Sequence, residues 1–256
     1  MGKNKLKKFA EMKAFANVVQ PENSGVATTP HALKGRWNEL FFKNGNPIVL
    51  ELGCGKGEYT VELARRYKNR NFIGVDIKGA RMWAGAKIAL EEKIENAGFL
   101  RTRIEFVSRF FSAGEVDSVW LTFPDPQMKS TRKRLCSSFF LERYRSFVKD
   151  RGRIMLKTDS RFLYLYTLSL VELNKLRVVA RVDDIYGGVG ERNVAAAIEP
   201  LLQIPTAYEL LWRQRGLGIK FLAFELPSSG DLEEPAEEPE FDEYRSTKRR
   251  NEIGGK

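Results

Sequence analysis

Three carboxylates and a run of alternating glycines stand out as residues able to do chemistry. Glu51 lies two positions before Gly53, in Gly53-Cys54-Gly55-Lys56-Gly57, Asp76 follows Gly57 by 19 residues, and Asp125 sits between prolines in Phe123-Pro124-Asp125-Pro126. Glycines let the backbone approach a bound molecule closely, because no Cβ intervenes. An acid at the end of the next strand can accept both hydroxyls of a ribose. The spacing here is G-x-G-x-G, not the G-x-G-x-x-G of dinucleotide sites. A carboxylate beside such a loop repels a pyrophosphate but suits an ammonium group. S-adenosylmethionine carries an ammonium and a sulfonium and no phosphate. The loop therefore points to a methyltransferase ahead of a nicotinamide dehydrogenase.

Asp125 is held rigidly by its two prolines, and a basic run follows it: Lys129, then Arg132-Lys133-Arg134. These cations can hold a phosphate backbone, against the plainer reading of a solvated loop. Other chemistries have little to use. The one histidine, His31, stands in a Thr-Pro-His loop and reads as an ordinary surface residue. No histidine-rich metal site is available, and two distant cysteines, Cys54 and Cys136, make neither a zinc site nor a disulfide framework. No metal is expected.

The formal net charge is +10, and it is unevenly spread. Residues 227–256 hold five Lys/Arg and nine Asp/Glu, net −4, which leaves the preceding body at +14. A body that basic suits a polyanionic partner. No run of about 18 apolar residues predicts a membrane helix, and the basic start lacks the apolar core of a signal peptide. A cytoplasmic protein without membrane attachment is expected.

The elements that must position these residues read as alternating strands and helices. Apolar runs predict strands over Pro47–Leu52, Asn71–Ile77, Gly98–Arg103, Val116–Phe123, Gly152–Thr158, Val178–Asp184 and Ile219–Glu225. Helical spacing predicts helices over Glu58–Tyr67, Gly79–Asn96, Ile104–Phe111, Ser138–Lys149 and Phe162–Lys175. Together they predict an α/β, Rossmann-like fold: a mostly parallel seven-stranded sheet with helices on both faces, its last two strands pairing antiparallel at an edge. The expected organisation is a basic, partly mobile N-terminal segment (1–34), one domain (35–226), and a disordered tail, acidic then basic (227–256). Glu51, the glycines and Asp125 then fall at the carboxyl ends of strands, where open α/β sheets bind ligands.

At these residues the chain resembles the tRNA (guanine-N7)-methyltransferase family, a group of class I S-adenosylmethionine-dependent enzymes. The resemblance runs over about residues 35–226. It includes Leu50–Gly57 (LELGCGKG), Gly74-Val75-Asp76, the Pro-Asp-Pro motif with its basic cluster, Leu156–Asp159 (LKTD), and Thr206-Ala207-Tyr208-Glu209 followed by Gly216 and Gly218. It implies methyl transfer to N7 of a tRNA guanine, position 46 of the variable loop. It further implies that Glu51, Asp76 and Asp125 contact the cofactor and that Lys129, Asp159, Thr206 and Glu209 line the guanosine pocket. Taken alone, Asp159 reads as a helix cap and Thr206-x-x-Glu209 as a capping box. The chain departs from the family at Gln127, usually Trp, at Arg103, commonly an acid, and at Leu211, usually basic. It also has no histidine in its basic stretch. A class I methyltransferase acting on another RNA position or a small molecule is the enzymatic alternative. A methyltransferase-fold protein that only binds RNA is the other. Monomer and homodimer stay open.

Overall fold

The computed structural model describes residues 2–21, 29–187, 190, 192–195 and 198–242. In chain order the elements are α1 (Gly2–Lys13), β1 (Val18–Val19), β2 (Ile48–Leu52), α2 (Glu58–Arg66), β3 (Asn71–Asp76), α3 (Gly79–Glu91), β4 (Ala97–Arg101), β5 (Val116–Thr122), α4 (Ser138–Arg145), β6 (Val148–Thr158), α5 (Arg161–Leu173), β7 (Val178–Val182), β8 (Arg192–Asn193), α6 (Glu199–Leu202), α7 (Ala207–Gln214) and β9 (Lys220–Leu226). They form one sheet in the order β1-β4-β3-β2-β5-β6-β9-β7-β8. The seven long strands are those expected. The other two, β1 and β8, are two residues each and extend the edges. Strands β1 to β6 pair parallel, whereas β9 runs antiparallel between β6 and β7. The fold class is the expected α/β, Rossmann-like one.

Alternation along the strands divides the core between two faces. Leu50 and Leu52 of β2, Val119 and Leu121 of β5, and Ile154 and Leu156 of β6 pack with Phe140, Tyr144, Phe162 and Tyr166 of α4 and α5. Val49, Phe72, Trp120, Met155 and Phe221 face the other way, onto Tyr59, Leu63, Met82 and Ala86 of α2 and α3. Strands apolar on both faces belong to a sheet covered on both sides.

Both ends of the chain depart from expectation. The N-terminal segment contains α1, which packs on α3: Met12 is fully buried, and the indole N–H of Trp83 donates to Glu11 at 2.7 Å. Lysines at 3, 5, 7, 8 and 13 mask a helix whose buried side is only a few residues wide. The tail is ordered as far as Asp242, and that residue is itself buried. Low hydrophobicity predicts disorder there, but its acids find buried donors on α4 and α5. The remainder of the tail, 243–256, lies outside the described residues. Among the described residues no helix is long and apolar enough to cross a membrane.

Candidate active site

The sheet order reverses between β2 and β5, and at their carboxyl ends lies a cavity of about 470 Å³. Glu51, Gly53, Gly55, Tyr59, Thr122, Phe123, Thr206 and Tyr208 are among its lining residues. Such a crevice is where open α/β sheets take ligands, and its size suits a small molecule.

Gly53, Gly55 and Gly57 all have left-handed backbones, with φ of 83°, 57° and 75°. A Cβ at Gly53 or Gly55 would meet no protein atom within 4 Å, so both glycines open onto the cavity. Gly57 is needed for a different reason: a Cβ there would lie 2.5 Å from the Phe99 ring. The loop is fastened underneath. The N–H groups of Gly53 and Cys54 donate to the Val75 carbonyl at 2.8 and 3.1 Å, and that of Gly55 to the Asp76 carboxylate at 2.9 Å.

Glu51 is buried, and protein donors hold its carboxylate on both sides. Thr60 donates to it through its backbone N–H, at 2.9 Å, and through its hydroxyl, while Thr122 donates its hydroxyl to the other oxygen. Burial pushes the Glu51 carboxyl up to about 7, the three hydrogen bonds opposing it. An acid raised by desolvation beside a glycine cradle is suited to a cation, which restores its ionised form. The site therefore fits the ammonium end of S-adenosylmethionine. Asp76 does not line this cavity. Half-buried, it accepts from the N–H groups of Gly55 and Lys78.

Asp125 is exposed on the turn after β5, accepting at 3.2 Å from the N–H of Gln127. Phe123 and Gln127, two residues to either side, have φ of 49° and 47°, a conformation rare for such side chains. Backbone of this kind is kept by its surroundings and concentrates at functional turns. Phe123 also packs on Tyr208, so the turn leans on the start of α7.

Among the cations that follow, Lys129, Arg132 and Lys133 are exposed. Arg134 is not, and the expectation that it meets an RNA backbone is corrected. Its side chain is fully buried, stacked on Tyr166 and Phe162, and it donates to the carbonyls of Gln127 and Met128 and to Glu238.

The two acids assigned to the guanosine pocket are likewise buried. Glu209 accepts from Lys157 at 2.9 Å on one oxygen and from the Tyr186 hydroxyl at 2.9 Å on the other, and it completes the capping box with Thr206. Protein donors meet both oxygens, and the capping box is formed as its spacing predicts. Thr206 caps α7 and also lines the cavity. Asp159 is buried beside Lys220, which donates to its carbonyl, and the cap of α5 is Ser160 instead.

Sequence reasoning missed Thr60, Thr122 and Lys157. The threonines fasten Glu51. Lys157, fully buried, donates to the carbonyls of Leu202 and Ile204 and ties the α6–α7 segment to the sheet, while burial lowers its pKa against the pull of Glu209. A lysine within the apolar run Ile154–Thr158 was the available signal. His31 packs on Phe110, and Leu33 donates its N–H to the imidazole. Both cysteines are buried and free. Among the described residues no group of His, Cys, Asp and Glu is arranged to hold a metal ion.

Comparison with known proteins agrees with this geometry. A family model described as "Putative methyltransferase" matches residues 45–222. The tRNA (guanine-N(7)-)-methyltransferase of Bacteroides thetaiotaomicron is 50% identical over 254 residues, which cover 99% of this chain and 98% of the relative. That of Porphyromonas gingivalis is 52% identical over 234 residues, 91% of each chain. Among solved structures, an antibiotic related methyltransferase superposes with a TM-score of 0.53 at 17% identity, over 79% of this chain and 97% of that one, a likeness of fold. By sequence, fold and the cavity they build, the chain belongs to the tRNA (guanine-N7)-methyltransferase family.

Proposed function

We propose that this protein transfers a methyl group from S-adenosylmethionine to N7 of a guanine in tRNA. The observation that carries this reading is the pairing, across the switch point, of a buried acid under a glycine cradle with an exposed aspartate on a strained Pro-Asp-Pro turn. The cofactor supplies an electrophilic methyl on a sulfonium. Glu51 binds its ammonium end, Gly53 and Gly55 admit it closely, and Asp76 braces the loop through the Gly55 N–H.

N7 of guanine bears a lone pair and no proton, so the chain needs no general base. In-line transfer then depends on holding the two reactants in register. Asp125 does this at the substrate side: it orients the base and offsets the positive charge that develops on the imidazole ring. Lys129, Arg132 and Lys133 hold RNA phosphates beside that turn, and Thr206 closes the cavity wall.

The experiment is transfer of labelled methyl from S-adenosylmethionine to unmodified tRNA by wild type and by Asp125→Ala. Label in RNA with wild type and its loss by at least 100-fold in the variant is expected on the scale of positioned catalytic groups. Undiminished transfer by Asp125→Ala removes that residue from the mechanism. Label on a nucleoside other than N7-methylguanosine would favour the other enzymatic reading.

A further inference from the structure

The acidic tail is a strap laid antiparallel along α5. At the C-terminal end of that helix, Asn174 exchanges hydrogen bonds with the backbone of Glu233 at 2.7 and 2.9 Å. At its middle, the Tyr166 hydroxyl donates to Glu234, which also accepts the N–H of Ser138. Phe241 packs edge-on against Phe162. At the helix start Asp242 accepts from the Ser160 hydroxyl and from the N–H of Phe162 at 3.0 Å. Between these fixed points Glu238 reaches inward. One of its oxygens takes Arg134 at 2.8 Å and the Thr131 hydroxyl at 3.1 Å.

Arg134 is the partner that matters. It donates to the carbonyls of Gln127 at 3.3 Å and Met128 at 2.9 Å. Gln127 is itself one of the two left-handed residues flanking Asp125. The guanidinium is fully buried, and one of its terminal nitrogens has no partner. Glu238 is the carboxylate that pairs with it. A buried cation robbed of its counter-charge is strongly disfavoured and shifts away from its place. The carbonyls it holds belong to the turn that carries Asp125, one of them on left-handed Gln127.

We propose that Arg134, held in place by Glu238 of the tail, is a positioning residue for the Pro-Asp-Pro turn and so sets the rate of methyl transfer. This rests on the methyl-transfer reading of Asp125. It gives the acidic tail a definite task, as part of the substrate side of the site.

The test uses the full chain with Glu238→Ala, Glu238→Gln and, as a control on a tail acid that reaches only exposed Arg161, Glu240→Ala. Single-turnover methylation of tRNA at saturating S-adenosylmethionine is measured with cofactor affinity and near-ultraviolet dichroism. Misplacing a reacting group by a fraction of an ångström costs roughly tenfold or more. The expected order is therefore wild type equal to Glu240→Ala, then Glu238→Gln, which keeps an acceptor oxygen, then Glu238→Ala about tenfold slower. Cofactor affinity stays within about twofold throughout, as expected of a change confined to the other side of the site. Equal rates in all four proteins overturn the positioning role, as does a Glu238→Ala loss that appears equally in cofactor affinity. A wild type that leaves guanine N7 unmethylated overturns the underlying reading instead, and the two failures are distinct.

Discussion

Protonation of Glu51 should set how cofactor affinity depends on pH. In the free protein burial raises this carboxyl to about 7, so below that pH most molecules hold it neutral. A bound ammonium favours the ionised form, so binding releases a proton, and affinity falls as pH drops through 7. Each pH unit below 7 weakens binding about tenfold, or about 1.4 kcal/mol. From about pH 7.5 to about pH 5.5 the loss is about 25-fold. Above about pH 8 the amino group of the ligand loses its own charge, so affinity peaks between the two. Isothermal titration in buffers of different ionisation enthalpy measures both the affinity and the proton released, close to one per ligand near pH 6. Glu51→Gln should bind more weakly at neutral pH and with a flat profile between pH 5.5 and 7. Constant affinity in wild type over that range, or the wild-type slope persisting in Glu51→Gln, would refute the pairing of Glu51 with the ammonium.

Other expectations follow from the same structure. Without ligand, ionising Glu51 opposes folding: its contribution is intact below the unfolded value near 4.5 and is lost as pH rises through 7, by about 3 kcal/mol in all. Urea melts should accordingly show Glu51→Gln gaining on wild type between pH 5 and 8; parallel curves would contradict the burial argument. Gly57→Ala should lose roughly 1–3 kcal/mol, because its φ of 75° and the Phe99 ring 2.5 Å from a Cβ both resist a side chain, and thermal melts read this directly. Replacing Arg132 and Lys133 by Ala should reduce the magnitude of the salt slope of tRNA binding by roughly 1.5 for two lost phosphate contacts. An unchanged slope would remove both from the RNA interface.

Much of the fold was legible because seven apolar runs alternate with amphipathic stretches, and the glycine loop marks the end of the first. Boundaries drifted where local signals compete. The helix predicted to Asn96 stops at Glu91, and β6 begins at Val148, where a helix was expected to continue. Of the residues singled out by type and spacing, Glu51, Gly53 and Gly55 line the cavity at the switch point, and Asp125 stands exposed on the turn after β5. The site was not legible where burial decides the role. Arg134 and Lys133 are neighbours of like charge, yet one is buried under a tail acid and the other exposed. Glu209 reads only as a capping acid until Lys157, 52 residues earlier, is folded against it. The strap along α5 has the composition of disordered chain. Its order comes from donors on α4 and α5 that no local pattern reveals.

The most direct measurement is of the product. Unmodified tRNA is incubated with the purified protein and S-adenosylmethionine, digested to nucleosides and resolved by mass spectrometry, with Asp125→Ala alongside. N7-methylguanosine from wild type and none from the variant is the predicted result. A different methylated nucleoside, or N7-methylguanosine formed equally well without Asp125, would contradict it.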